Sequence, residues 1–448
     1  MKYQYIGALL VVSIVLTVAV PAALAKPYSS KSADIKALYK GSRAYAHILA
    51  LTGYGPRVAG GPAEWAARDY IAAQMESYGL EVEFQAFPIT YFEDFGSTLE
   101  VVGGPALSPI TMMFSPPGEF TAEMVYCGLG YPADFPAEVA GKIALIRRGL
   151  IPFWQKTQNA AAAGALAAVI YNNIAGPLYG TLTFITDIPA VGITQDEGTI
   201  LLNLLAAGPV TVYLKVDTVA YDSISYNVIG TLEGIDPSQG IVYMGAHYDS
   251  VSAAPGANDD ASGVAAMLEA ARVLCSPDTL HRTKATLKFI AFGSEETGLD
   301  GSYNYVDANY DEVSTMGIGM INLDMIAVGG DRLIGNIGWA GDTLEDYMEK
   351  KATAMSLPWG PFTAGSNSDH TYFEMVGVPS VFLHQSPDPY YHTSEDTPDK
   401  INKATLEANG ELATAVMYDW AKNPVHRLKM AQHFEEVSVY HDTVYAGS

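Results

Sequence analysis

Along the second half of this chain, short unbroken apolar runs alternate with stretches whose apolar positions recur at helical spacing. "GIVYMGAHYDS" reads as a buried strand ending at His247 and Asp249, and "ATLKFIAFGSEE" as one ending at Glu295 and Glu296. "GIGMINLDMIA" reads as a strand ending near Asp324, and "PSVFLH" as one more. Between the first two, "ASGVAAMLEAARVLC" has helical periodicity. Strands alternating with helices imply a largely parallel sheet between helix layers, because a parallel connection must cross a face of the sheet. The fold class is therefore α/β, with a mostly parallel central sheet flanked by helices.

The first half has a different rhythm. After the Gly/Pro loop "GPRVAGG", a helix is predicted from about Ala63 to Ser77 and a strand from Leu80 to Phe87. From about Ser97 to Asp217, "GKIALIRRG" reads as a strand, "FWQKTQNAAAAGALA" as an alanine-rich helix, "AVIYNN" as a strand and "IPAVGIT" as a fourth short element. No cluster of catalytic residue types falls there. The expected organisation is residues 26–96 and 218–424 as two parts of one domain, 97–217 as an α+β insertion, and 425–448 as an unassigned tail.

Residues 1–25 combine Lys2, an apolar run and an A-x-A end at Ala23 and Ala25, the pattern of a cleaved secretory signal. An uncleaved anchor is the alternative, since the uncharged run is long enough to span a bilayer. The expectation is a secreted, extracellular or cell-envelope protein with no stable membrane insertion after cleavage. Forty-nine acidic against 25 basic residues, a formal charge of −24, exclude nucleic acid as a partner, because phosphate binding relies on clustered Lys and Arg. Cys127 and Cys275 are too few and too far apart for a disulfide scaffold and read as small buried hydrophobes.

Against this background the polar residues at strand ends stand out. In open α/β sheets the carboxyl edges of strands line the ligand crevice, so His247, Asp259, Glu295, Glu296 and Asp324 can converge there. His392 follows two tyrosines in the polar loop "PYYHTSEDTPDKI". The stretch "GANDDASG", with Asp259 and Asp260, could be only a helix cap, but a cap needs one such residue and this stretch supplies three. Two imidazoles with three or four carboxylates suit a pair of divalent ions, each taking one imidazole and carboxylate oxygens, with one carboxylate shared. Asp249 stands two residues from His247 on the same strand face and can orient its ring. Ser368 or Asp369 in "NSDHTYF" is expected to cap the following helix. His281 and His384 are read as structural or solvated.

"GAHYDS", "PGANDDASGVAAMLE", "FGSEETGLDGS", "INLDMI" and "YYHTSEDT", in this order, resemble the co-catalytic di-zinc aminopeptidase family of zinc exopeptidases, which includes glutamate carboxypeptidases and the transferrin receptor ectodomain. The resemblance covers about residues 34–95 and 218–422 and implies a phosphorylase/hydrolase-like fold. The intervening block resembles the protease-associated (PA) domain that many members carry as an insertion. Carried over, the family pattern implies two zinc ions, one held by His247 and Asp324, the other by Glu296 and His392, with Asp259 shared. It implies Glu295 as general base, Asp249 behind His247, a cis peptide between Asp259 and Asp260, and Tyr391 as an oxyanion donor. Asn258 and Ser262 read as loop or cap residues.

The function expected is a secreted metallo-exopeptidase acting on peptides, first of all an aminopeptidase. A carboxypeptidase or dipeptidase on the same scaffold would need a cation for the substrate carboxylate, for which Arg332 is the candidate. Glutaminyl cyclisation uses fewer metals, and a receptor-like binding module would have lost the catalytic residues that are all present here. The sequence does not set oligomeric state.

Overall fold

A computed structural model of the chain describes residues 35–279 and 283–424. The signal segment, His281 and the tail from 425 lie outside these residues. The strands are β1 (Glu81–Val101), β2 (Ala106–Leu107), β3 (Ile110–Thr111), β4 (Gly118–Tyr126), β5 (Ile143–Arg147), β6 (Ala167–Tyr171), β7 (Ala190–Ile193), β8 (Thr211–Leu232), β9 (Ile241–His247), β10 (Thr286–Phe292), β11 (Gly317–Leu323), β12 (Asp331–Asn336), β13 (Gly360–Thr363) and β14 (Ser380–Ser386). They form one path of neighbours, β13-β12-β14-β11-β9-β10-β8-β4-β5-β6-β7-β3, with β1 alongside β8.

The heart of the molecule is β14-β11-β9-β10, all parallel, with β12 and β8 antiparallel at its two sides. Every residue of β9, β10 and β11 is buried, as their unbroken apolar sequences require of strands covered on both faces. The helix Ala261–Leu274 packs on this sheet and is buried at every position except Arg272. Gly263 in its first turn lets it approach closely: a Cβ there would lie 2.3 Å from the Leu323 carbonyl oxygen at the end of β11. That contact brings the Asp259–Asp260 loop against Asp324.

The predicted helix appears as Pro62–Ser77. The strand expected from Leu80 to Phe87 is only the beginning of β1, which pairs antiparallel with β8 from Glu81↔Thr231 to Val101↔Val212, shifting register between Asp94 and Ser97. Much of β1 is exposed or half-buried, so its hydrophobic signal fades while its backbone pairing continues. This ribbon runs from the parallel sheet into the inserted one, where β4, β5, β6 and β7 pair in parallel. Leu145, Val169, Val191 and Leu201 make part of the core beneath it. Cys127 is buried, Cys275 half-buried, and both are free thiols. Among the described residues no helix is long and apolar enough to cross a membrane.

Candidate metal centre

The strand order places β9 between β11 and β10, so His247 at its carboxyl end is flanked on both sides. Phe292 is paired with His247, which puts Glu295 and Glu296 in the turn just beyond. On the other side Asn322 is level with Gly245, so Asp324 comes level with His247. Ser294, Met325 and His392 adopt left-handed φ angles of 61°, 58° and 56°, sharp turns next to the candidate ligands that few non-glycine residues adopt. The Asp259–Asp260 peptide is cis, as the resemblance implied.

The predicted ligands converge. His247 Nε2 lies 3.1 Å from Asp259 Oδ1, 3.8 Å from Asp324 Oδ1 and 4.0 Å from Glu295 Oε2. His392 Nε2 lies 2.9 Å from Glu296 Oε2 and 3.2 Å from Asp259 Oδ2. The two oxygens of Asp259 thus face two different imidazoles. Two sets of donor atoms each lie within 4.8 Å of one another, His247 with Glu295 and Asp324, and His247 with Asp259 and Glu296; His392 closes the second from the far side.

Several of these buried atoms, among them Asp259 Oδ2, Glu296 Oε1 and His392 Nε2, make no aligned hydrogen bond. Donor atoms that crowd together without satisfying one another are what a bound cation would satisfy. The electrostatics agree. Burial alone would lower the His392 pKa, yet Asp259 and Glu296 push it up to about 10, and Glu295, Asp249, Asp259 and Asp324 likewise raise His247 against its burial. Burial and the neighbouring Asp259 push Glu296 up to about 7. The residues present therefore fit a cationic metal centre.

A ring of hydrogen bonds fixes the donors. Asp249, fully buried, accepts from the backbone N–H of Glu295 at 3.0 Å and of Glu296 at 3.2 Å, and its Oδ1 stands 3.5 Å from His247 Nδ1. Asn258, Asp260 and Ser262 do more than make a loop or a cap. Asp260 caps the helix Ala261–Leu274 through Gly263 N–H, and the three side chains accept from consecutive backbone N–H groups just after Asp324: Met325 to Asp260, Ile326 to Ser262 and Ala327 to Asn258, at 3.1, 3.0 and 2.9 Å.

Three further supports were not expected as such, and one of them, Ser368, was expected to be a helix cap. Asp396 accepts from the N–H groups of Asn258 and Asp259 at 2.8 and 3.1 Å, and burial pushes its carboxyl up to about 6. Ser368 donates to Asp324 Oδ2 at 2.7 Å. Arg57, wholly buried, donates to the carbonyls of Tyr248, just before Asp249, and of Pro255 and Gly256, just before the Asn258–Asp259 turn. "GPR" looked like a plain loop; only the fold shows where its guanidinium goes.

Other expectations need correction. Asp369 does not cap the helix His370–Met375; it is buried near His247, Asp249 and Asp324, and burial pushes its carboxyl up to about 7. Nor does Ser368 serve as the cap, since its hydroxyl is committed to Asp324. Arg332 reaches away from the crevice, to Asn409 and, at 2.5 Å, to the Pro358 carbonyl, because alternation along β12 turns Leu333 into the crevice instead. His384, read as structural or solvated, is half-buried, holds the Asp324 carbonyl through Nδ1 and also lines the crevice. Tyr391 stacks on His392 with ring centroids 3.7 Å apart and lines the same cavity of about 490 Å³.

Comparison with known proteins gives the family. Residues 227–417 match the family model of peptidase family M28, and residues 120–201 that of the PA domain. Aminopeptidase YwaD of Bacillus subtilis (strain 168) is 35% identical over 419 residues, 90% of this chain and 89% of its own. The chain belongs to peptidase family M28. Among solved structures, the M28 chain resembles the aminopeptidase from Aneurinibacillus sp. strain AM-1 at 38% identity and TM-score 0.73, covering 89% of this chain and 98% of that one. It also resembles BSAP, a zinc aminopeptidase from Bacillus subtilis, at 33% identity and TM-score 0.66, covering 87% and 97%.

Proposed function

We propose that this zinc metallo-aminopeptidase works with two zinc ions, one between His247 and Asp324, the other between Glu296 and His392, with Asp259 shared. The observation that carries this reading is the placement of Asp259 Oδ1 3.1 Å from His247 and Oδ2 3.2 Å from His392. Bound zinc supplies Lewis acidity, polarising a carbonyl and making a water acidic near neutral pH.

The chain's own residues do the rest. Glu295, half-buried beside the shared site, takes the proton of the attacking water and returns it to the leaving amine. Asp249 holds the Glu295 and Glu296 backbone and the His247 ring in place. Tyr391, at the cavity wall beside His392, donates to the oxygen of the scissile carbonyl as charge develops on it.

The cavity lining favours an amino terminus. It has no lysine or arginine to hold a substrate carboxylate, and one of its carboxylates, Asp388, is assigned neither to zinc nor to proton transfer and can take an ammonium group. Residues 97–217 form the inserted PA domain within the M28 domain, and residues 1–25 direct export. Mass spectrometry of an unblocked peptide incubated with the zinc-loaded protein tests the main claim: stepwise loss from the amino end is expected, and loss from the carboxyl end would overturn it. A protein in the medium that begins at Met1 would overturn the reading of residues 1–25 as a cleaved signal.

A further inference from the structure

Strands β12, β13 and β14 form the floor of the crevice beside the candidate metal centre. Residues directly opposite in an antiparallel pair share a face, so Leu333 lies beside His384 and Gly335 beside Phe382. Phe362 of β13 completes an aromatic trio: its ring centroid is 5.6 Å from Phe382 and 6.2 Å from His384, and Phe382 is 5.4 Å from His384. Gly335 leaves the room, since a Cβ there would lie 2.9 Å from the Phe362 ring. The floor is largely apolar, with the His384 imidazole in its middle and Ser386 at its end as polar groups.

The state of that imidazole follows from its partner. His384 Nδ1 lies 3.0 Å from the backbone carbonyl oxygen of Asp324. A carbonyl oxygen only accepts, so Nδ1 carries the hydrogen, and in the neutral ring Nε2 is a bare acceptor. No hydrogen bond to Nε2 is found among the described residues, and it is not among the buried unpartnered atoms, so it is open to the cavity.

We infer that His384 is a specificity-determining residue whose Nε2 accepts a hydrogen bond from the side chain of the substrate's amino-terminal residue. The favoured side chain is an aromatic body that lies against Phe362 and Phe382 and ends in a hydroxyl, as in tyrosine. This rests on the aminopeptidase reading above. A phenylalanine in the same place leaves Nε2 dry and unpaired, and that penalty makes a site built around a hydroxyl reject its deoxy analogue.

The test compares kcat/KM for tyrosine, phenylalanine and leucine p-nitroanilides in the zinc-loaded full chain, with His384→Asn and His384→Gln alongside. The asparagine amide can still donate to the Asp324 carbonyl but does not reach the Nε2 position; the glutamine amide places an oxygen near that position. The wild-type protein is expected to prefer tyrosine over phenylalanine by about tenfold, as one hydrogen bond with a desolvated acceptor allows. The ratio is expected to fall to about one in His384→Asn and to persist in part in His384→Gln. Zinc content, measured on each variant, separates a changed ratio from a disturbed Asp324. A wild-type ratio near one, or a ratio unchanged in His384→Asn, would overturn the inference while leaving the aminopeptidase reading intact. Failure to release p-nitroaniline from all three substrates would overturn the reading itself, and the inference with it.

Discussion

At the carboxyl ends of β9, β10 and β11, buried atoms of Asp259, Glu296 and His392 crowd together without an aligned hydrogen bond; across residues 97–217 no buried side-chain nitrogen or oxygen is left in that state among the described residues. The inserted domain buries polar groups too, but each is used. Lys156 donates to two carbonyls, Asn172 to two more, Thr218 at its border to the Ser115 carbonyl. The difference separates two uses of buried polarity. In the insertion a polar side chain closes a loop and its free-energy cost is offset locally. At the strand ends the cost is left standing, and only a ligand can offset it.

The comparison is broken most severely at Glu295, the one carboxylate assigned to proton transfer. Glu295→Gln keeps the shape and is expected to lower kcat by about two to four orders of magnitude, the range for loss of a general base, while zinc content by elemental analysis stays as in the wild type. If zinc falls with turnover, Glu295 is a ligand and the division of labour drawn here is wrong. Removal of the cations acts on the same region. Exhaustive chelation is expected to lower the stability of the M28 domain by about 3 to 4 kcal/mol for each zinc site, about 5 to 8 kcal/mol for the two, relative to zinc at a hundred to a thousand times its Kd, read by calorimetry with and without added zinc. Asp259→Asn should forfeit most of that shift, because the shared carboxylate is then gone; a variant that still responds fully to zinc would refute the bridging assignment.

The sequence showed the ligands more readily than their supports, and for a physical reason. His247, Glu295, Glu296 and Asp324 end apolar strands, so their position follows from the alternation of strand and helix. Arg57 and Asp396 act on backbone groups between 137 and 199 residues away, and nothing in a local pattern marks a side chain whose partner is a distant carbonyl or N–H. The same holds for the clamp from Asn258, Asp260 and Ser262 onto the segment after Asp324: their residue types signalled a cap, and the long-range bonds appear only once Gly263 has let the helix approach. The length of β1 was hidden because an exposed ribbon is held by backbone pairing rather than by apolar side chains.

Arg57 sharpens the contrast, because it is a satisfied buried group that serves the unsatisfied region. Its guanidinium holds three carbonyls and places a fixed positive charge near Asp249, Asp259, Asp260 and Asp396. Arg57→Met is expected to cost about 3 kcal/mol or more, since three carbonyls lose a donor and the carboxylates lose their buried counter-charge. Arg57→Lys should recover only part of this, because an ammonium cannot copy the planar fork. Unfolding by denaturant at saturating zinc measures both; a methionine variant as stable as the wild type would show that the loop between Asp249 and Asp259 holds itself.

The smallest effect is expected at Lys156, where the insertion satisfies a buried charge with its own backbone. Lys156 is fully buried and donates to the Leu129 carbonyl at 2.5 Å and the Gly149 carbonyl at 2.8 Å. Burial lowers its pKa from 10.5 to about 8, against a smaller opposing pull from Asp134. The sign follows from proton binding: between about pH 8 and pH 10.5 the unfolded chain holds a proton on this amine that the folded chain has released, so wild-type stability rises with pH across that window. Lys156→Met removes the titrating group. At pH 7 it should cost about 1 to 2 kcal/mol for two carbonyls left without a donor, and this deficit should widen toward pH 10 as the wild type alone gains stability. Calorimetry at the two pH values measures the gap, and a gap that narrows would contradict the assignment. Turnover of a small amino-terminal substrate should not change, because nothing at the strand ends depends on this lysine; a variant that lost activity would show that the insertion and the metal centre are not the separate economies of polarity described above.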